Sequence, residues 1–408
     1  MAIDGKAKMR KLACFFSSLF WLTNAGAETP IVLYGVVDTG LSYVHISRDT
    51  LDGRLALSTS QLGLDTGVQS GSRWGMRGSD NLGGGWTASF VLEGGLSSLT
   101  GEAAQGGRAF GRRAVLGLSQ DNYGDLVTGR QTTISTNYFG NIDPLALSFG
   151  QANMGASFGS VNTVRYDSLA QYQTPTWSGL QAGIGYSFNT GASGFYASDG
   201  SGDVAPKSDY FGTNANMRAL TVAAQYSQGP IGLAVSYDRA FAAGQVPASV
   251  GEGSVANTDG AAPTAWIVGA TYDFKVVKLA AAFGRAYDGA FSGNGPGNGL
   301  SGSGLETETG GAGVLFQSGF DSQSTMVGLT IPFSGPGTQF MLSWQTQTPK
   351  GRLADTPGFA TQSIFGAAYT YGLSKQTNLY FWGSYGHNFQ MFSTAKSSVV
   401  GAGVRHLF

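Results

Sequence analysis

From about residue 31 onward, apolar and polar side chains alternate in stretches of roughly ten residues, set apart by Gly-, Asn- and Pro-rich punctuation. In the last stretch Val400, Ala402, Val404, His406 and Phe408 fall on one face. Val399, Gly401, Gly403, Arg405 and Leu407 fall on the other. A period of two is the period of a strand. The pattern predicts strands at 31–43, 72–80, 86–95, 108–118, 125–131, 163–173, 180–188, 218–227, 231–240, 264–274, 278–287, 324–333, 338–347, 362–372, 378–387 and 397–408, sixteen in all. Their connectors are of two kinds. NLGGG (81–85), SQDNYG (119–124), QGP (228–230), SGPG (334–337) and LSKQT (373–377) are short turns, and they alternate with longer loops, up to the Gly/Ser-rich 288–323. Short turns at one end and long loops at the other are the signature of an antiparallel up-and-down β-barrel, with the short side periplasmic. Ten residues at about 3.3 Å each, tilted near 45°, cross an apolar band of roughly 25 Å.

The two faces of adjacent segments say which side is wet. Trp74 and Met76 oppose Arg73, Gly75 and Arg77, and in the next segment Ala88, Phe90 and Leu92 oppose Ser89 and Glu93. An arginine turned to mid-bilayer lipid costs about 2–4 kcal/mol in a barrel, so the charged face must line water. The expected fold is all-β, a transmembrane antiparallel up-and-down β-barrel of 16 strands with a polar lumen. Composition agrees: glycine is plentiful at 64 of 408 residues, and charged residues make up 12% against a soluble norm of about 25%. The formal net charge is −1, with no basic tract after the amino end, so nucleic acid is not an expected partner.

At the amino end, Lys6, Lys8, Arg10 and Lys11 precede the apolar stretch 12–22, and Ala25-Gly26-Ala27 offers a small-residue cleavage site. Residues 1–27 are read as a secretory signal peptide and 28–408 as one barrel domain, with translation starting at Met1 or Met9. The sole cysteine, Cys14, would leave with the signal, which excludes a disulfide, a thiolate nucleophile or a Cys-based metal site in the exported protein.

No constellation of catalytic, metal-binding or cofactor-binding residues emerges. His45, His387 and His406 are scattered and lack zinc-ligand spacing. GASFG at 155–159 fits the GxSxG pattern, but it falls in a loop where a strand-to-helix turn is needed. Gly83 to Gly85 join two strands and do not open a helix, so they read as a turn and not as a phosphate cradle.

Several stretches carry a family resemblance: LYGVVDTGLSY (33–43), SRWGMRGSDNLGGGWTASFVLEGGL (72–96), FGRRAVLGLSQDNYGDLVTGRQ (110–131), NTVRYDS (162–168), YGLSKQTNLYFWGSYGHN (371–388) and the terminal VGAGVRHLF. Together they resemble the general diffusion porins of the Neisseria, Burkholderia and Comamonas type, and the aromatic last strand resembles that of outer-membrane barrels generally. The resemblance implies a homotrimer in the outer membrane of a Gram-negative bacterium, in contact with its lipids and lipopolysaccharide. It also implies passage of small hydrophilic solutes and ions, and a third outer loop folded into the barrel. The connector 132–162 matches that loop in position and holds one acid, Asp143, and no Lys or Arg. Strand parity sets Arg73 and Arg77 across the pore from it, with Arg112 or Arg113 and Arg130 placed less directly. By resemblance, Arg73, one of the Arg112/Arg113 pair and Arg130 match the basic cluster of anion-preferring members. Such a ring lowers the barrier for anions. The alternative is that these arginines only pair with Glu93, Asp38 and Asp167. The outer loops 189–217 and 288–323 are longer and richer in Gly and Ser than the family pattern. A solute-selective channel, or a barrel used as a surface interaction platform, are the other readings.

Overall fold

The computed structural model describes residues 31–49, 56–162, 164–191, 194–196, 217–242, 261–292 and 313–408. The expected signal segment 1–27, with Cys14, and most of the connectors 189–217 and 288–323 lie outside those residues. Most of the described strands form one closed antiparallel sheet. In chain order its strands are β1 Val32–Arg48, β2 Leu57–Thr66, β3 Arg73–Gly83, β4 Trp86–Gly95, β5 Arg113–Gln120, β6 Gly124–Thr132, β7 Arg165–Gln173 and β8 Leu180–Ser187. After the short β9 Gly194–Tyr196 come β10 Arg218–Gln228, β11 Ile231–Phe241, β12 Thr264–Asp273 and β13 Lys278–Tyr287. Then follow β14 Gly289–Ser292, β15 Gly313–Phe316, β16 Asp321–Pro332, β17 Gln339–Lys350, β18 Gln362–Gly372, β19 Thr377–His387 and β20 Lys396–Leu407. Apart from β2 and β3, which each pair with β1 and not with one another, consecutive barrel strands pair, and β1 pairs with β20 over Val36–Ser47, which closes the barrel. The pieces β9, β14 and β15 form a separate small sheet.

The alternation read from the sequence holds on the outside. Leu41, Leu62, Leu116, Ile184, Phe365 and Phe381 are each at least half exposed and project outward, as lipid-facing positions do. Several strand boundaries shift by a few residues from expectation, and two departures bear on the site. The fourth barrel strand begins at Arg113, because 108–112 is spent on a bend whose Arg112 N–H reaches the Glu93 carbonyl. The second barrel position is filled by two segments, β2 and β3, which pair in turn with the far and near halves of β1.

The break between those segments, residues 67–72, has a definite cause. Gly67 takes φ +71°, a conformation that favours glycine, and its N–H bonds the Asp38 carbonyl. Asp38, fully buried on β1, accepts the Ser70 N–H on Oδ2 at 2.6 Å and the Tyr380 hydroxyl on Oδ1 at 2.6 Å. Ser72 Oγ donates to the Asp38 carbonyl at 3.0 Å. Asp38 thus organises the break, and among the described residues it forms no ion pair with an arginine.

The connector after β6 runs inside the barrel. Thr133 caps a short helix, Ile134–Phe139, by accepting the Thr136 N–H, and short 3₁₀ turns follow. Its apolar side chains Ile134, Phe139, Ile142 and Met154 pack on Ala223, Ala234, Ile267, Ala280 and Met326, which face inward from β10 to β16. Further along, Leu145, Phe149 and Ala152 pack on Met341, Ile364, Tyr380, Trp382 and Val399 of β17 to β20. Each fully buried Leu, Ile, Phe or Met among them contributes about 1.5–3 kcal/mol relative to exposure. The lumen is therefore not polar all round: on this half much of its wall is apolar, and the loop covers it. Two glycines make room. A Cβ on Gly366 would meet Ala152 Cβ at 2.7 Å, and one on Gly328 would meet Pro144 Cγ at 2.5 Å.

Candidate functional site

The half of the lumen that the loop leaves open is walled by β3 to β7, and arginines gather there. Arg73, Gly75 and Arg77 share the inward face of β3, while Trp74 points out, its ring tilted against that of Phe110. Arg73 Nη1 donates to Ser70 Oγ and to the Gly71 carbonyl, both at 3.0 Å, so the break in the strand also aims this side chain. Its Nε lies 3.5 Å from Glu93 Oε2. Glu93 collects more than one cation: Arg112 Nε donates to Oε1 at 2.7 Å, and the Tyr34 hydroxyl donates to Oε2 at 3.0 Å. The sequence left open which of Arg112 and Arg113 turns inward. Both do, since Arg112 sits in the bend before β5, outside the strand alternation, and Arg113 opens the strand opposite Glu93.

Two arginines remain outside these pairings. Arg77 lies over the Tyr34 ring, its guanidinium carbon 5.4 Å from the centroid, a cation–π arrangement. Arg113 opens onto a recess of about 360 Å³ lined by Gln131, Gln171, Gln181, Gln225 and Tyr138. Among the described residues neither meets a carboxylate within ion-pair distance. Both are exposed to the lumen.

Arg130 and Asp143 sit elsewhere than strand parity and loop position suggested. Arg130 is opposite Ala114, on the parity of the outward Leu116 and Leu118, and a bulge at Gly129 turns it into the wall. There its Nε donates to the Gly111 carbonyl at 2.7 Å and its Nη1 to Asp167 Oδ1 at 2.6 Å, and Arg108 shares the same carboxylate at 2.8 Å. Only 8% of Arg130 is exposed, so it does not line the open gap. Asp143 faces the interior of its own loop. Its carboxylate accepts the N–H groups of Leu145, Leu147 and Met154 at 3.2, 2.8 and 3.3 Å. Burial pushes its pKa up to about 6, against the pull of those three donors.

Arg165, at the start of β7, was not singled out by sequence reasoning. It is buried within the field of Arg112, Arg130, Glu93 and Arg73, and so adds positive charge behind the open pair. Its place directly after the inward loop was the available signal.

Polar pins hold the loop to the opposite wall. Gln345 Nε2 donates to the carbonyls of Ala152 and Asn153 at 3.2 and 2.6 Å, and Gln362 Nε2 to Ser157 Oγ at 3.1 Å. Ser324 Oγ bonds the Ser157 carbonyl at 2.6 Å, so the serine of the GASFG run is a structural tether. Ser135 Oγ donates to Asp238 at 2.8 Å. The resulting passage has a fixed apolar-backed loop on one side and a cluster of arginines around a single glutamate on the other.

Known proteins place this architecture. The model of the Gram-negative porin family matches residues 23–388. An outer membrane porin protein of Bordetella pertussis is 43% identical over 397 residues, 94% of this chain and 96% of that protein. Outer membrane porin protein 32 of Delftia acidovorans is 34% identical over 171 residues, 40% of this chain and 46% of that protein. Among solved structures, an anion-selective porin from Comamonas acidovorans superposes with a TM-score of 0.64 at 22% identity, covering 93% of this chain and all of that one, and it shows the shared fold. With a closed barrel, an inward loop and a near full-length relative in hand, the chain belongs to the Gram-negative porins, diffusion channels of the outer membrane.

Proposed function

We propose that this channel passes small hydrophilic anions in preference to cations. One observation carries the reading: Arg77 and Arg113 face the open gap without a carboxylate partner among the described residues, while the only acid of the inward loop is turned into its own fold. At physiological salt the Debye length is about 8 Å, so the charges nearest the passage decide the selectivity and distant loop acids are screened. In this reading the pore constriction comprises Arg73, Arg77, Arg112, Arg113 and Glu93, with Arg130 and Asp143 supporting it from the wall and the loop. Reversal potential in a KCl gradient across a planar bilayer tests it. A cation-selective wild-type channel would overturn it.

A second reading is favoured by the recess beside Arg113. Its ring of glutamines offers neutral donors and acceptors next to one cation, which suits a polar solute bearing a carboxylate. Solute-induced current block by such a compound, absent with its amide, would support a solute-selective channel.

We further propose a homotrimer joined through the first and last strands. Leu41, Leu62 and Leu64 are 50%, 67% and 66% exposed at this seam, and β2 pairs with β1 along one edge only. Unheated detergent samples migrating as a single barrel would count against it. Residues 1–27 are proposed to be removed on export, which amino-terminal sequencing of protein extracted from the membrane would check. The long-loop end of the barrel is taken to face outward, and the barrel sides to contact membrane lipid and lipopolysaccharide.

A further inference from the structure

Across the barrel from the β1/β20 seam, the outward faces of β10 to β13 follow a common order. The middle of each face is apolar, with Leu233, Val235 and Val268 more than 40% exposed. At the long-loop end arginines replace them. Arg218 of β10, Arg239 of β11 and Arg285 of β13 share the outward parity of Phe241, Tyr237 and Tyr287, since the intervening Ala219, Asp238, Ala240 and Ala265 are buried inside.

Each guanidinium carbon lies over an aromatic ring. Arg218 and Arg239 lie 5.7 and 5.3 Å from the centroid of the same Phe241, and Arg285 lies 5.0 Å from that of Tyr287. Cross-strand register brings them together: Arg218 is opposite Phe241, Arg239 opposite Thr264, and Thr264 opposite Tyr287. None has a carboxylate partner among the described residues. The Nε atoms of Arg218 and Arg285 are buried without any hydrogen-bond acceptor there. Three cations crowded above an apolar band, two of them with a buried unsatisfied donor, are costly unless an anion completes them.

We infer that this arginine trio is a lateral docking site for the phosphate groups of a phosphorylated glycolipid in the outer leaflet. The chemistry selects that occupant. Guanidinium forks match phosphate oxygens bidentately, and the apolar band directly below would take acyl chains. A soluble anion would find the cations but leave the band to bulk lipid. The site rests on the orientation proposed above and lies outside the conducting path.

The test is native mass spectrometry of the intact porin in detergent, titrated with bis-phosphorylated lipid A and, separately, with its dephosphorylated form. The wild type should retain the phosphorylated lipid, and the triple variant R218Q/R239Q/R285Q should retain it about tenfold less, as expected from losing charge-assisted contacts. Neither should retain the dephosphorylated lipid. Equal retention by wild type and triple variant, or equal retention of both lipids by the wild type, would overturn the inference. The same protein is measured in planar bilayers: unchanged conductance and reversal potential in the triple variant keep the lipid site and the channel reading separate. If the triple variant yields no folded barrel, R239Q alone is used, because Arg239 is the most exposed of the three, and its loss should still lower retention.

Discussion

The two halves of the lumen solve opposite problems with the same strand geometry. On β3 to β7, inward positions carry charge, stay partly wet, and are positioned by one another: Glu93 receives Arg73, Arg112 and Tyr34, and Tyr34 supports Arg77. On β10 to β20, most inward positions are small, apolar, hydroxyl or amide, and those under the loop stay dry because it lies on them. A residue on the first half is placed by its charge partner, and one on the second by what covers it. The loop is stiff because of the second half, and that stiffness gives the first half a fixed distance to act across.

The largest effect is expected where the charged half is left unneutralised. Arg77→Ser with Arg113→Ser should move the reversal potential in a salt gradient from the anion toward the cation side, by an amount that shrinks as ionic strength rises. If the reversal potential stays put, the two exposed arginines do not set selectivity, and the comparison between the halves loses its functional meaning.

Next in size is Gly366→Val, directed at the covered half. The new side chain would run into Ala152, whose carbonyl oxygen is 2.9 Å from the position of an added Cβ. The loop should be displaced, giving a conductance change and open-channel noise with little change in ion preference. A shift in preference equal to that of the arginine variant would show that the halves are not separable.

Glu93→Gln sharpens the same line from the other side. It leaves Arg73 and Arg112 without their carboxylate and should lower stability by about 1–3 kcal/mol, read as a lower temperature for the loss of the compact gel band. Anion preference should rise at the same time. A variant that becomes less anion-preferring would contradict the role given to this glutamate.

The smallest effect is a pH dependence confined to the loop. Asp143 holds its proton more tightly in the folded loop, with a pKa of about 6, than it would in an open one, so folding is favoured below the ordinary carboxylate range and that advantage is lost as pH rises through 6. Amide protection at Leu147, corrected for intrinsic exchange, should fall between pH 4 and 7, and Asp143→Asn should flatten the change.

Much of this comparison was legible in the sequence, but unevenly. The strands, their turns and the inward faces of Arg73, Arg77 and Glu93 follow from a period of two, because a charge cannot face lipid at low cost. Arg112 escaped that logic by sitting in a bend, and Arg130 by sitting at a bulge, where one extra residue resets the alternation. The apolar inward face of β17 to β20 could not be read as a lumen wall at all, since Tyr380 and Trp382 look like lipid-facing residues until the loop that buries them is known. Loop 132–162 announced its length and its lone acid, but not the direction in which Asp143 points. That direction is set by three backbone donors whose convergence depends on the folded loop.

The break at residues 67–72 carries a consequence for the order of assembly. Asp38 shapes that break only with Tyr380 of β19 beside it, and Arg73 takes its aim from Ser70 and Gly71 within the break. The first strand, the penultimate strand and the leading arginine of the open wall are thus coupled through one carboxylate. A nascent barrel whose last strands have not yet docked has the sequence of the arginine wall but not its geometry. We expect Arg73 to become shielded from an arginine-directed reagent late in refolding, together with the first-to-last strand pairing, and in Asp38→Ala to remain reactive after the barrel has closed. The arginine wall is then completed only at closure, when its leading member is set in place.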